Sequence, residues 1–284
     1  MDESPAGRPV DEEVPAIDSS TILVVRDRAN ADPVKGGDVE VLLLERHLDS
    51  DFAGGALVFP GGKVSDADRT LPPARWRGRP PAAWQDALGA ETQASALGLL
   101  VAAVRETFEE VGILLAHRED GSPIQADDLA SDSFREARAR LASREGSDDW
   151  RGWLEEEGLV LDLDGLALWS WWVTPVGRHK RFDTRFFIAA APGDQIAEQD
   201  AVEATGVTWM CPHEALEAQA RGDATIIFPT RRNLAALAAY PSAATAIAAA
   251  RAGEVDQRRI LPRVVRVDDR VMVQHPFEDE PEAI

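Results

Sequence analysis

One stretch constrains this chain more than any other: Ala102-Ala103-Val104-Arg105-Glu106-Thr107-Phe108-Glu109-Glu110-Val111-Gly112-Ile113. Wound as an α-helix at about 100° per residue, it brings Glu106, Glu109 and Glu110 within an arc of roughly 100° on one face. Leu97, Leu100, Val101, Val104, Phe108 and Val111 share a similar arc on the other. The spacing predicts a helix that packs through its aliphatic stripe, turns three carboxylates outward and stops at Gly112. Like charges at i, i+3 and i+4 repel and cost helix stability. A bound divalent cation removes that cost, and carboxylate oxygens are the ligands hard ions prefer. Arg105 is placed to hold a carboxylate by a bidentate pair. A glutamate pair alone would signify only a solvated helix face.

Upstream, the apolar run Ala56 to Phe59 leads into Pro60-Gly61-Gly62-Lys63. Adjacent glycines let the backbone approach a ligand closely and adopt positive φ. The glycine turn and the acidic helix together resemble the signature of the Nudix hydrolases, G-x5-E-x7-R-E-U-x-E-E-x-G-U, where U is a bulky apolar residue. Gly62 matches the opening glycine, and Arg105, Glu106, Glu109, Glu110, Gly112 and Ile113 match the second half. Thr107 departs mildly at the first U, where its methyl can still pack. Asp68 stands where the family has glutamate, and residues 69 to 104 separate it from Arg105 where the family has seven. A long insertion inside the box, with Phe-Pro-Gly-Gly before it, makes the chain most similar to coenzyme A diphosphatases of the peroxisomal type.

The resemblance covers roughly residues 19–240 and implies an α/β fold. This is a Nudix α/β/α sandwich with a mixed sheet, plus an inserted loop and helical region and C-terminal helices. It implies a hydrolase with Mg2+ or Mn2+ as cofactor, held by Glu106, Glu109, Glu110 and the Gly62 carbonyl. Glu106 and Glu109 become the catalytic carboxylates, with Glu203 as a loop-borne base and Glu198 the other candidate for that place. Arg46, at the end of a strand, is expected to face substrate phosphates. The substrate class implied is coenzyme A or acyl-coenzyme A, split at its diphosphate. ADP-ribose or NADH is the alternative substrate, and a nucleotide-binding module without turnover is the alternative from another class.

Composition narrows the partners. The 50 acidic residues against 30 basic give a net charge of −20, which argues against nucleic acid held on a broad basic surface. An anionic substrate must then be drawn by local cations against the global field. The run Gly177 to Arg185, with Arg178, His179, Lys180, Arg181 and Arg185, is the strongest basic cluster. Arg178, Arg181 and Arg185 are therefore substrate-binding candidates; the other reading is a surface hairpin with solvated charges. The single cysteine, Cys211, excludes an internal disulfide or a cysteine-based zinc site and is expected to be buried. With no long apolar run, no membrane partner and a cytoplasmic location are expected. A homodimer is kept open.

Along the chain, residues 1–18 are expected to be a mobile acidic tail. Residues 19–275 form one Nudix domain, with 69–95 an insertion and 120–158 a helical addition, and 276–284 form a loose acidic tail. Strands are predicted at 19–26, 39–45, 56–59, 166–175, 186–190 and 203–211. Helices are predicted at 127–145, 150–158, from Pro212, at 230–239 with Thr230 as cap, and at 241–252. A hairpin is predicted over 260–273, turning at Asp268-Asp269. The insertion, rich in proline and carrying Arg69, Arg75, Arg77 and Arg79, reads as a lid or anion-attracting loop, or as a packed ornament.

Overall fold

The computed structural model describes residues 14–29, 39–46, 54–143, 150–193, 195–198, 204–268 and 270–283. The chain opens with β1 (Ile17–Asp27) and β2 (Val39–Arg46), antiparallel from Val25↔Val41 to Asp27↔Val39. Next, β3 (Ala56–Val58) pairs with β2; after Phe59 and Pro60 the chain crosses to β1 as β4 (Gly61–Lys63), antiparallel to Ser19–Thr21. Helix α1 (Asp66–Arg69) follows, then β5 (Trp76–Arg77) and α2 (Gln85–Leu88) within the insertion. The acidic helix is α3 (Gln93–Val111). Its Thr92 cap accepts from the Ser95 N–H at 3.0 Å, and Gly112 ends it at φ 70°.

Beyond α3 come β6 (Ala116–Arg118), α4 (Ala126–Leu129), α5 (Asp132–Ala142), α6 (Trp150–Glu156) and β7 (Leu159–Asp162). The chain rejoins the main sheet with β8 (Ala167–Val173), β9 (Phe182–Ala190) and β10 (Ala204–Met210). Then follow α7 (Pro212–Arg221), β11 (Thr225–Ile226), α8 (Phe228–Leu237), α9 (Ala243–Ala252) and β12 (Arg259–Ile260). The hairpin β13 (Arg263–Val267) and β14 (Arg270–Gln274), joined by β15 (Glu282–Ala283), closes the fold.

Among the described residues the main sheet runs β11-β3-β2-β1-β9-β8-β12, with β10 on β2 and β4 on β1. It is mixed: β1 and β9 are parallel, β8 and β9 antiparallel. β1 is apolar on both faces because both are covered. Ile22 and Val24 face the core beneath α3, and Leu23 and Val25 join the cluster of Leu234, Leu237 and Ala246 from α8 and α9. The expected helix–sheet–helix sandwich is thus present. Burying such side chains contributes about 1.5–3 kcal/mol each. No helix among the described residues is long and apolar enough to cross a membrane.

Of the two readings of the insertion the packed one fits, and other local expectations need correction. The insertion is packed: Trp84 is buried edge-on to Phe187 at 6.3 Å, Leu88 is buried, and β5 joins β7 and β6 in a small sheet. Its arginines are partly engaged, Arg69 with Asp18 (3.0 Å), Arg75 with Glu119 (2.7 Å) and Arg79 over the Trp84 ring. Helix α8 starts at Phe228, because Pro229 fits the first turn, where its missing N–H costs nothing; Ile227, not Thr230, is its cap. The expected helix 127–145 breaks into α4 and α5. The segment from 276 is tied down: β15 pairs with β14, and Glu282 meets Arg231 and Arg232 at 3.0 and 2.8 Å. The hairpin turns where expected, with Asp268 at φ 47°; Asp269 lies outside the described residues.

Candidate active site

The site is assembled where α3 crosses β1 and β4. Ser20 Oγ donates to the Leu99 carbonyl at 2.6 Å, pinning the helix to the strand, and Ser19 Oγ donates to the Gly62 carbonyl at 2.6 Å. The glycines matter for distance. A Cβ on Gly62 would lie 2.5 Å from the Glu106 carboxyl carbon, so only glycine lets backbone and carboxylate come this close. One residue earlier, the Gly61 N–H donates to Glu110 Oε2 at 2.7 Å.

Arg105 organises the carboxylates. It is 5% exposed, and its guanidinium reaches Asp68 (2.9 and 3.1 Å), Glu106 (2.9 Å), Glu109 (3.0 Å) and the Lys63 carbonyl (2.9 Å). Burial works against its charge, but Glu106, Asp68 and Glu109 outweigh that and hold it more firmly protonated than usual. Asp68 is fully buried and also accepts from the Ser65 N–H at 2.8 Å, so the shorter acid in place of glutamate still forms the fork that orients Arg105. The insertion therefore leaves and re-enters the box without parting Asp68 from Arg105.

The prediction of three outward carboxylates needs revision. Glu106 and Glu109 keep 12% side-chain exposure, and Glu110 is buried under Gly61. On that face Arg105 and the glycine strand crowd the carboxylates, while the helical addition covers the opposite, apolar face. Phe108 stacks on Trp153 at 5.2 Å and meets Phe134 edge-on at 6.3 Å, so α3 is covered on a second side as well as by the sheet. Arg138 of α5 completes that cover, donating to the carbonyls of Glu109 and Glu110, each at 2.9 Å, and to that of Glu198. No sequence signal marks Arg138 beyond its position four residues after Phe134 on the packing face of α5.

Other predicted residues separate. Arg46 ends β2 in register with Ala204, directly after Glu203; Glu203 and His47 lie outside the described residues. The Arg46 Nε is buried and has no hydrogen-bond partner among the described residues. Arg178 is exposed between β8 and β9. Arg181 and Arg185, expected at the substrate, are each 4% exposed and turned to protein acceptors. Arg181 donates to the carbonyls of Thr174 and Val14, and Arg185 to Leu88 O, Asp18 and Asp183. β1 separates Arg185 from Gly62: Arg185 is in register with Ser20, and Ser20 with Gly62. Burial pulls the Arg185 guanidinium below its ordinary pKa against the opposing pull of Asp183 and Asp18. Trp171 lies against Arg185 and donates to Asp183, while Trp169 and Trp172 are core.

Cavity size does not mark this site. A cavity of about 1140 Å³ opens at the far end of β1, lined by Val25, Leu114, Ala189, Ala243 and Ile247, and none of the three glutamates lines it. Among the described residues no three His, Cys, Asp or Glu side chains stand grouped as ligands of a metal ion. The donor chemistry still suits a hard cation: oxygen ligands from one helix, beside a glycine strand open to close approach.

A family model described as NUDT19 Nudix domain matches residues 72–237, which take in α3 but begin after Gly62 and Asp68. The chain is 32% identical over 233 residues to the acyl-coenzyme A diphosphatase NUDT19 of Gallus gallus, covering 67% of this chain and 58% of that protein. To the Homo sapiens protein of the same name it is 27% identical over 212 residues, covering 62% and 54%. The match thus spans little more than half the length of these curated relatives. Among solved structures, a Nudix hydrolase from Alicyclobacillus acidocaldarius aligns with TM-score 0.67 at 29% identity, over 82% of this chain and 96% of that one.

Proposed function

Because the chain belongs to the NUDT19 Nudix domain family, we propose that it is a divalent-metal-dependent hydrolase of a diphosphate linkage, with coenzyme A or acyl-coenzyme A as substrate class. The observation that carries this is the convergence of Asp68, Glu106 and Glu109 on the one guanidinium of Arg105, beside Glu110 and the Gly61-Gly62 strand. Carboxylate oxygens gathered at one point beside an approachable backbone are the donor set that a hard divalent cation takes. The substrate class is supported by the names of the relatives.

Glu106, Glu109 and Glu110 would hold Mg2+ or Mn2+, with the Gly62 carbonyl alongside. Such an ion, when bound, neutralises the diphosphate and lowers the pKa of water. The reaction forms one bond from water oxygen to phosphorus and breaks one bridging P–O bond. The water proton passes to a carboxylate, Glu106 or Glu109, with Glu203 the loop-borne base. Arg105 keeps Glu106 and Glu109 in place while Asp68 fixes Arg105. Arg46, with a buried Nε, and Arg178, exposed in its turn, are the guanidiniums assigned to substrate phosphates.

The test is hydrolysis of coenzyme A, acetyl-coenzyme A, ADP-ribose, NADH and diadenosine polyphosphates with Mg2+ and with Mn2+, products separated by chromatography. Cleavage of coenzyme A or its acyl ester above the rest supports the reading. Preference for ADP-ribose or NADH replaces the substrate class, and no cleavage despite bound metal turns it into a binding module.

A further inference from the structure

An α-helix leaves its last carbonyls without intrahelical donors, and a helix end packed in the interior has to find other partners. In α3 those carbonyls belong to the residues that carry the proposed metal ligands. The Phe108 carbonyl is taken by the Gly112 N–H at 3.0 Å. The Glu109 carbonyl accepts from Arg138 Nε and the Glu110 carbonyl from Arg138 Nη2, each at 2.9 Å. The Val111 carbonyl accepts from the Glu198 N–H at 2.9 Å, and the Glu198 carbonyl in turn accepts from Arg138 Nη2. One guanidinium and one loop peptide therefore close the helix end as a single unit. Gly112 makes room for it: a Cβ there would sit 3.1 Å from Arg138 Nη1. A cation at this end also complements the helix dipole.

The arrangement links three parts of the chain that sequence keeps apart. Arg138 rides on α5, four residues after Phe134, which packs edge-on to Phe108 of α3. Gln195 strengthens the same link, its side chain bonded to both the N–H and the carbonyl of Leu114. Glu198 is exposed, on the loop that leads toward β10. Resting on the metal-site reading above, we infer that Arg138 is a positioning residue. It fixes the backbone of the acidic loop at Glu198 against the helix end bearing Glu109 and Glu110, and so holds those two helix carboxylates in fixed register for one cation. The fork of a guanidinium is required because its donors must span carbonyls of two separate segments, which an ammonium cannot do with the same geometry.

The experiment measures Mn2+ binding to the full chain by calorimetry or electron paramagnetic resonance, with no substrate present, well below each protein's melting temperature. The proteins are wild type, Arg138→Met and Arg138→Lys. Groups that orient metal ligands typically change affinity about 10–100-fold when removed. Arg138→Met is expected to raise the Mn2+ Kd about tenfold or more, with Arg138→Lys between it and wild type. A part played only in stability would lower Tm and leave Kd unchanged, and unchanged Kd in both variants overturns the inference. If Arg138→Met does not fold, Arg138→Lys decides alone: a Kd at least threefold higher supports the inference and an unchanged one refutes it. Absence of Mn2+ binding by wild type would instead remove the metal-site reading beneath it, a result distinct from equal binding by all three.

Discussion

The acidic face of α3 and the basic run from Gly177 to Arg185 are both dense patches of one charge, yet they are used differently. In the first, Asp68, Glu106 and Glu109 converge on one guanidinium, and the patch borders a glycine strand. In the second, Arg185 meets two carboxylates and the backbone carbonyls of Leu88 and Asp183, and Arg181 meets the carbonyls of Thr174 and Val14. Arg181 and Arg185 of the basic run are taken up by internal acceptors, whereas Arg178 and His179 stay exposed. Charge density alone does not mark a site. Convergence of like groups on one point beside an approachable backbone does, because a ligand can join the groups gathered there.

The strongest way to break this contrast is Glu109→Gln. It removes a charge from the acidic face and is expected to lower kcat about 10²–10⁴-fold, the scale of acid–base participation, while Tm holds within a few degrees. Near wild-type turnover with coenzyme A and Mg2+ would falsify the placement of chemistry on α3. Next is Asp68→Ala, which leaves Arg105 buried without its fork and is expected to cost about 3–5 kcal/mol in urea unfolding. Arg185→Met is expected to cost about 2–4 kcal/mol, less because Asp18 is partly exposed. Its KM for coenzyme A should stay within twofold of wild type. A tenfold rise in KM at unchanged stability would return Arg185 to the substrate and dissolve the contrast. Arg178→Ala should shift stability by under about 0.5 kcal/mol, as exposed substitutions do; a several-fold rise in KM is the signature expected if it meets phosphate.

The smallest effect concerns acid. His275 is packed against Trp172 and Phe277, and burial holds its pKa below the ordinary 6.5 despite Glu278 and Asp256, with Arg232 and Arg258 pushing the same way as burial. The unfolded chain then takes up a proton before the folded one does. Stability contributed here is intact above about pH 6.5 and is lost as pH falls from there toward the folded-state pKa. After correction for the intrinsic exchange rate, the protection of β14 amides should fall between pH 7 and pH 5, and His275→Gln should flatten that dependence. Equal acid sensitivity in both proteins would assign it elsewhere.

Legibility followed the range of the forces involved. α3 was readable because its periodicity and its stop are local, and β1, β2, β8, β10, α7 and α9 lie close to their expected places for the same reason. The short strands β5, β7 and β12 were not readable, since segments of two to four residues become strands only through the partner they find. The C-terminal segment looked loose because acidic composition reads as solvated, whereas Arg231 and Arg232 of α8 are waiting for Glu278 and Glu282. Asp68 looked like a weakened box position; its full burial on Arg105 is a contact across the whole insertion.

The sequence by itself determined the family, the carboxylates and the glycines that meet them, because those depend on residue type and on spacing along one helix and one turn. Tertiary structure alone decided how far the glutamates are buried, which arginines are consumed as braces, and that Arg138 closes the end of α3. Those outcomes depend on which distant backbone groups and carboxylates each side chain meets, and burial in a low-dielectric interior penalises a polar group left without a partner.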